Sequence, residues 1–227
     1  HTTNHSTRTS HTGTDIQAGN LTIESDQAVT LNASSIKTTG DTTLKATTIA
    51  VNAITHTGNF GSLQKTDVSQ GSTHIGGNLT MTATDTASIT GESLAITGNT
   101  AINADTITLA STQTKRSHNT GNDSMRETNQ VKAGITSGSD LSLSGKNIAI
   151  RASDLQANQA LNLTATDDIT IANRENTYYS RLKQTSRGVF GAKTSKTTTL
   201  NRTDTIKSSL FGNTVNLSSG NDVTIQG

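Results

Sequence analysis

The sequence predicts an all-β chain, folded as a right-handed parallel β-helix with three short strands per coil of about 20–21 residues and with projecting hairpin insertions. Three observations carry this prediction. Short phrases of alternating apolar and small polar residues recur at a constant spacing. Apolar residues make up 30% of the chain and aromatic residues 2%, too few to fill a round globular core. Pro is absent, which suits continuous strand pairing because Pro cannot donate a ladder hydrogen bond.

One five-residue phrase predicts the first strand of each coil. In its first copy, Leu21 and Ile23 are expected to point inward and Thr22 outward, which is the period of two for a strand with one buried face. Uninterrupted copies lie 20 or 21 residues apart. The copies stand at 19–23, 40–44, 77–81, 98–102, 139–143, 159–163 and 213–217.

A second phrase follows most copies and predicts the second strand, while a third and weaker phrase predicts the last strand of the coil. The second phrase stands at 28–31, 48–51, 87–89, 106–109, 147–150, 168–171 and 222–225. The third phrase carries Ile36, Leu94, Ile96 and Leu155. One coil cannot bury its own apolar face, so neighbouring coils must stack. We therefore expect a single β-helix segment over residues 1–227, an internal fragment of a larger protein.

Three interruptions, at about 55–75, 111–137 and 173–211, are too long for turns and are expected to project from the rod as hairpins. The third holds eight Lys and Arg residues against two acids, a net charge of +6, so the rest of a chain with net charge +1 carries −5. It also contains both tyrosines. The candidate surface-contact residues are Tyr178, Tyr179, Arg181, Lys183, Arg187, Phe190, Lys193 and Lys196.

Two interpretations of this third interruption stay open. It can be a solvated hairpin whose Tyr178, Tyr179 and Phe190 pack on the rod. Alternatively, its positive charge beside aromatic residues suits an anionic surface such as a lipid headgroup layer. Nucleic acid is not expected as a partner, because one basic hairpin is a weak footprint for it.

The repeated phrases resemble the haemagglutinin repeats of filamentous haemagglutinins and of contact-dependent growth-inhibition exoproteins. The stretch Tyr-Tyr-Ser-Arg-Leu-Lys-Gln-Thr-Ser-Arg-Gly-Val-Phe-Gly at 178–191 is similar to interruptions in the second repeat region of the growth-inhibition proteins. The resemblance extends from about residue 13 to residue 227.

This resemblance implies a structural rod segment of a secreted adhesin or toxin-delivery exoprotein at the surface of a Gram-negative bacterium. The parent protein would leave the cell through an outer-membrane transporter of two-partner secretion. The segment would stack on flanking β-helix coils of the parent chain. Its hairpins would contact the surface or outer membrane of a target cell.

A β-helical carbohydrate-active enzyme, a lyase or hydrolase, is the alternative. Such enzymes need carboxylates clustered on one face. The acids of this chain are scattered at turns, and the adjacent pair Asp167 and Asp168 would face opposite sides of a strand. We therefore expect no enzyme, no catalytic residue, no cofactor and no metal site. The histidines are expected to be solvated loop residues; they are His1, His5, His11, His56, His74 and His118.

Overall fold

The computed structural model describes residues 6–8 and 13–227, and these residues form β-strands and turns without any α-helix. Three stacks of parallel strands, numbered below in chain order with all others, surround a common core. A further sheet of antiparallel hairpins extends from the chain between coils. The predicted parallel β-helix with projecting hairpins is confirmed.

The first phrase of each coil forms a strand of the first face of the β-helix, and the second phrase forms a strand of the second face. Two long strands, β6 (Thr42–Asn52) and β10 (Leu79–Thr90), run around the corner between these faces and join them into one twelve-stranded sheet. The other strands of the first face are β3 (Leu21–Glu24), β12 (Thr100–Asn103), β17 (Leu141–Gly145), β20 (Ala160–Ala165) and β25 (Thr214–Ser219). Those of the second face are β4 (Ala28–Asn32), β13 (Thr106–Ala110), β18 (Asn147–Arg151), β21 (Ile169–Ala172) and β26 (Val223–Ile225).

The third face is a seven-stranded parallel sheet with one strand from each coil, so the described residues make seven coils. Its apolar residues identified only three of these strands in the sequence, because three of the others lie inside the stretches that were assigned to the interruptions. The strands are β2 (Asp15–Ala18), β5 (Ser35–Thr38), β9 (Thr73–Ile75), β11 (Ser93–Ile96), β16 (Ala133–Ser137), β19 (Ser153–Ala157) and β24 (Ser209–Phe211).

Three hairpins leave the helix after a second-face strand and return to the next third-face strand. They occur after the second, fourth and sixth coils, and they overlap the three interruptions of the repeat. Hairpin 1 comprises β7 (Ile54–Phe60) and β8 (Leu63–Ser69), hairpin 2 comprises β14 (Thr112–Asn119) and β15 (Asp123–Val131), and hairpin 3 comprises β22 (Arg174–Arg187) and β23 (Lys193–Ile206). A short strand, β1 (Ser6–Arg8), precedes the first coil and pairs with β7.

The core consists of aliphatic columns that run along the helix. Parallel strands in register place equivalent inward side chains about 4.8 Å apart, so each one packs on the same position of the next coil. One column on the first face contains Ile23, Leu44, Met81, Ile102, Leu143, Leu163 and Leu217. Its central members are almost inaccessible to solvent. A thin core of this kind needs no aromatic residue, which accounts for the composition.

The recurring Gly-Asn and Gly-Asp pairs form a ladder at the corner before the first face. The Asp41 N–H donates to Asn20 Oδ1 at 2.9 Å, and the Asn78 N–H donates to Asp41 Oδ1 at 2.7 Å. The same bond repeats from Asn99 to Asn78 at 2.8 Å. A Cβ added at Gly40 would lie 2.1 Å from Asn20 Oδ1. The glycine is therefore required because the side chain of the preceding coil fills its Cβ position.

The corners between the second and third faces are alternately a tight turn and an inserted hairpin. Where no hairpin is inserted, the chain turns through a residue with positive φ: Ala33 at 44°, Gly91 at 63° and Ala152 at 45°. Hairpins occupy the intervening corners, beside Ala53, Ser111 and Asn173. A positive φ costs an L residue about 1–2 kcal/mol. Two alanines tolerate this cost because the hydrogen-bonded coils on both sides fix the turn.

We predict that Gly40→Ala lowers the free energy of unfolding by about 1–3 kcal/mol, because the new Cβ overlaps Asn20 Oδ1. Asn20→Ala alone loses one hydrogen bond, worth about 0.5–1.5 kcal/mol. In the double variant the overlap with the amide is gone, so the total loss is smaller than the sum of the two single losses. Urea denaturation of the four proteins measures this coupling.

Gly19→Ala is the matched control, because a Cβ at Gly19 meets no atom within 4 Å. It should change stability by no more than about 0.5 kcal/mol. Strictly additive losses in the Asn20 and Gly40 variants would contradict the ladder.

Candidate functional site

The hairpins form one continuous antiparallel sheet, called the hairpin sheet below, with the strand order β1, β7, β8, β14, β15, β22 and β23. Hairpin 1 pairs with hairpin 2 through β8 and β14, and hairpin 2 pairs with hairpin 3 through β15 and β22. The sequence predicted projecting hairpins but did not reveal that they pair with one another. The structure joins them along the length of the rod into a single broad surface.

The spacing of the hairpins explains why they meet. Two coils rise by about 9.6 Å, and a hairpin contributes two strands about 4.8 Å apart. A hairpin after every second coil therefore supplies one strand per coil. Consecutive hairpins arrive at hydrogen-bonding distance from each other, so the sheet continues without a gap.

A polar network fastens hairpin 3 to hairpin 2 at their bases. The Gln130 N–H donates to Asn176 Oδ1 at 2.6 Å, and Gln130 Nε2 donates to the Glu175 carbonyl at 2.9 Å. The hydroxyl of the buried Ser111 donates to Gln130 Oε1 at 2.7 Å, and Arg174 donates to the Ser111 carbonyl at 2.9 Å. These side-chain hydrogen bonds thus join the two hairpins beyond the point where the backbone pairing between β15 and β22 ends.

Glu92 fastens the return of hairpin 1 in a different way. Its side chain is buried, and Oε1 accepts the N–H of Gly71 at 2.7 Å. Burial raises the pKa of Glu92, while the N–H groups of Gly71 and Ser93 oppose part of this rise. The neighbouring Gly91 carbonyl accepts Gln70 Nε2 at 2.5 Å.

The two faces of the hairpin sheet differ in charge. Side chains alternate between faces along each strand, and the cross-strand register assigns every residue to one of them. One face, called the basic face, carries six basic residues against the single acid Glu175, a net charge of +5 over β7 to β23. The six are Lys115, Arg126, Arg181, Lys183, Arg187 and Lys193.

The opposite face, called the mixed face, carries most of the apolar side chains and nearly balanced charges. The mixed face carries five basic residues and four acids. Two ion pairs lie within it, Lys65 with Asp67 at 2.8 Å and Arg202 with Asp204 at 2.9 Å. The charged residues are Lys65, Asp67, Arg116, Asp123, Glu127, Arg174, Lys196, Arg202 and Asp204. The apolar residues include Phe60, Leu63, Met125, Leu182 and Leu200.

A shallow groove of about 1000 Å³ lies on the hairpin sheet where hairpins 2 and 3 meet. Its lining includes Gln64, Arg126, Tyr179, Arg181 and Asn201, which all belong to the basic face. Arg126 is the cross-strand neighbour of Tyr179, and Tyr179 is the neighbour of Asn201. On the basic face, the groove therefore combines the ring of Tyr179 with guanidinium and amide groups.

Hairpin 3 is the longest and extends beyond the other two. Its pairing with hairpin 2 ends at Leu182, and the strands continue to Arg187 and Lys193. This overhang is roughly 17 Å at about 3.4 Å per residue. At its tip Val189 is 97% exposed and Phe190 is 100% exposed, and both are central residues of a turn closed by the Gly191 N–H on the Gly188 carbonyl at 3.0 Å.

The candidate contact residues of the sequence fall into three places. Tyr179, Arg181, Lys183, Arg187 and Lys193 lie on the basic face, Tyr178 and Lys196 lie on the mixed face, and Phe190 lies at the tip. The interpretation that Phe190 packs on the rod is wrong, because its side chain is fully exposed. Both tyrosines are half-buried within the hairpin sheet.

Sequence reasoning missed Lys115, Arg126 and Val189. The two basic residues belong to hairpin 2 and join the basic face only through the register between hairpins, which no local pattern reveals. Val189 had a usable signal, since an apolar pair at the centre of a glycine-flanked turn is unusual.

A row of acids on the corner between the first and second faces bears on the enzyme alternative. Lys146 Nζ lies 2.6 Å from Asp105 Oδ2. The hydrogen bond and charge of Asp105 raise the pKa of Lys146, and Asp167 and Asp85 add to this effect. A lysine serving as a general base needs a lowered pKa. The arrangement thus gives no support to that chemistry.

Among residues 6–8 and 13–227, no group of three or more His, Asp or Glu side chains could hold a metal ion. His118 contacts Ser62 at 3.1 Å, and His74 contacts Ser72 at 3.3 Å. His1, His5 and His11 lie outside the described residues. None of the described residues forms a helix able to cross a membrane.

Comparison with known proteins gives one match. A family model described as Hemagglutinin repeat matches residues 115–227. This range contains hairpin 2 except its first three residues, all of hairpin 3 and the last three coils. No curated protein and no solved structure matches the chain.

We predict that Gln130→Ala loosens hairpin 3 without unfolding the helix. The substitution removes the bonds to Ser111 and to the Glu175 carbonyl, a local cost of about 1–2 kcal/mol. Backbone amides of β22 and β23 should exchange hydrogen faster, while those of β17 and β20 stay unchanged. Gln184→Ala, on an exposed part of hairpin 3, is the control and should leave hydrogen exchange unchanged. Unchanged exchange in β22 of the Gln130 variant would contradict the proposed fastening.

We predict a pH-dependent contribution from Glu92. Because its pKa is raised in the folded state, the folded protein holds this proton more tightly than the unfolded chain. The stability from Glu92 is therefore complete below about pH 4.5, the ordinary value, and is lost as pH rises through the raised pKa. Glu92→Gln keeps an oxygen for the Gly71 N–H and carries no charge. Its stability relative to wild type should increase from pH 4 to pH 8 in urea titrations, and a constant difference would refute the assignment.

Proposed function

Because residues 115–227 belong to the hemagglutinin-repeat family, we propose that this chain is a rod segment of a secreted bacterial adhesin or toxin-delivery exoprotein that touches its target cell through hairpin 3. The family is one of structural adhesins, and it implies a protein that is secreted or displayed at the cell surface. In this proposal the stacked coils give the rod its length, and the hairpin sheet contacts the target cell.

The tip of hairpin 3 is the observation that carries the contact proposal. Val189 and Phe190 are the most exposed large apolar side chains of the described residues. They lie at the centre of a tight turn with Gly191 at φ 80°, so the backbone presents both side chains outward. Because no described residue covers these two side chains, both are free to contact a partner surface.

The charge of the overhang supports an anionic target. Between Lys183 and Lys196 the chain carries four basic side chains and no acid, all of them exposed. Basic residues beside an aromatic side chain favour the interface of an anionic membrane, where the ring enters the headgroup region and the cations meet phosphates. A target-cell outer surface with exposed anionic lipid would meet both requirements.

The ends of the rod support stacking on further coils. In the last coil, inward side chains whose equivalents in the preceding coil are buried are open to solvent: Val215 is 42% exposed, Val223 44% and Ile225 66%. Another coil in the same register would cover them. Export through a two-partner secretion transporter and delivery of a toxin rest on the family resemblance alone.

Val189→Ser with Phe190→Ser tests the contact. Burial of the two side chains in lipid is worth more than about 2 kcal/mol, so binding to vesicles of anionic phospholipid should weaken at least tenfold. Stability should change by no more than about 0.5 kcal/mol, because neither side chain packs on the fold. Vesicle flotation and thermal unfolding measure the two quantities.

Leu182→Ser with Leu200→Ser is the matched control, because these half-exposed leucines lie on the same hairpin away from the tip. It should bind vesicles as the wild type does. A charge-reversal variant should no longer bind anionic vesicles. It replaces four basic residues with Glu: Lys183, Arg187, Lys193 and Lys196. Unchanged binding in the tip and charge variants would remove hairpin 3 as the contact.

A further inference from the structure

The positive charge of the basic face is left uncompensated by the fold. On the mixed face, acids accompany the bases and two ion pairs form at less than 3 Å. On the basic face, Arg126 and Arg181 form no ion pair with any described residue, although both are exposed and close to each other. Like charges at neighbouring positions of a sheet are destabilising. The fold therefore leaves an exposed, net positive surface that is complementary to an anionic ligand.

The groove places further groups around these two arginines. Ser124 is the cross-strand neighbour of Arg181, and Tyr179 lies between Arg126 and Asn201 in one cross-strand row. Gln64 continues that row toward hairpin 1, through Ser117. On the basic face, hydroxyl and amide groups thus lie around two guanidinium groups and the ring of Tyr179.

We infer that this groove binds an anionic oligosaccharide, whose sugar rings carry carboxylate or phosphate groups. Guanidinium groups pair with carboxylate and phosphate in a bidentate fashion. The Tyr179 ring offers an apolar surface to the carbon face of a sugar, and the amides of Gln64 and Asn201 can exchange hydrogen bonds with its hydroxyls. A groove of about 1000 Å³ has room for several sugar rings.

Other polyanions fit less well. Single-stranded nucleic acid binds to grooves in which successive aromatic side chains stack the bases, and the basic face between β7 and β23 has one aromatic residue. A plain lipid headgroup layer would use the charge but leave the amide and hydroxyl groups of the groove without a role. The saccharide uses all of them. This inference rests on the proposed role of the hairpin sheet as the contact surface and assigns its ligand class.

The experiment titrates a soluble oligogalacturonate into the protein by calorimetry, with the neutral galactose oligomer as the uncharged reference. Arg126→Gln with Arg181→Gln should weaken binding at least tenfold, because two charge-assisted pairs are lost. Lys65→Gln with Arg116→Gln is the matched control. It removes the same charge from two neighbouring residues on the mixed face and should leave the affinity within twofold.

The two routes to the same ligand chemistry, free or attached to lipid, are separated by repeating the titration with the saccharide displayed on neutral vesicles. Equal affinity for both forms indicates recognition of the sugar alone. Three results would overturn the inference: no binding of oligogalacturonate, equal weakening by both double variants, or tighter binding of a short single-stranded DNA than of the saccharide. The tip variants leave this groove intact, so loss of vesicle binding and loss of saccharide binding are distinguishable.

Discussion

Each coil of this protein rises by one strand spacing, about 4.8 Å, because its backbone hydrogen bonds run along the axis of the rod. Other features follow from this fixed rise. It stacks aliphatic side chains into columns and places the side chains of Asn20, Asp41 and Asn78 under the glycines of the next coils. It also brings the hairpins, inserted after every second coil, to hydrogen-bonding distance from one another.

Features set by local periodicity could be predicted from the sequence. The alternation around Leu21 and Ile23, repeated every 20 or 21 residues, was sufficient for the fold class and for the inward positions of the first two faces. The third face was only partly visible, since β9, β16 and β24 lie inside stretches that break the repeat and were assigned to the interruptions. Each strand still contributes an Ile or Leu to the core: Ile75, Ile135 and Leu210.

The candidate site was less predictable because its geometry is non-local. The positive charge of hairpin 3 is evident in the sequence, but its division between two faces depends on the pairing of β15 with β22. Arg126 and Arg181 are 55 positions apart in the chain and become neighbours only through that register. Local pattern finds the hairpins, whereas the register between them determines which side chains share a surface.

The alternating corners have a consequence for the length of such rods. Tight turns at Ala33, Gly91 and Ala152 take every other corner, and hairpins take the rest. Loss of the third or the fifth coil alone would preserve every column of the core but bring two hairpins to adjacent corners. Their four strands would then have room for only three at the spacing of a sheet. Loss of two coils with one hairpin would preserve both sheets. The unit in which this architecture can grow or shrink is therefore a pair of coils with its hairpin.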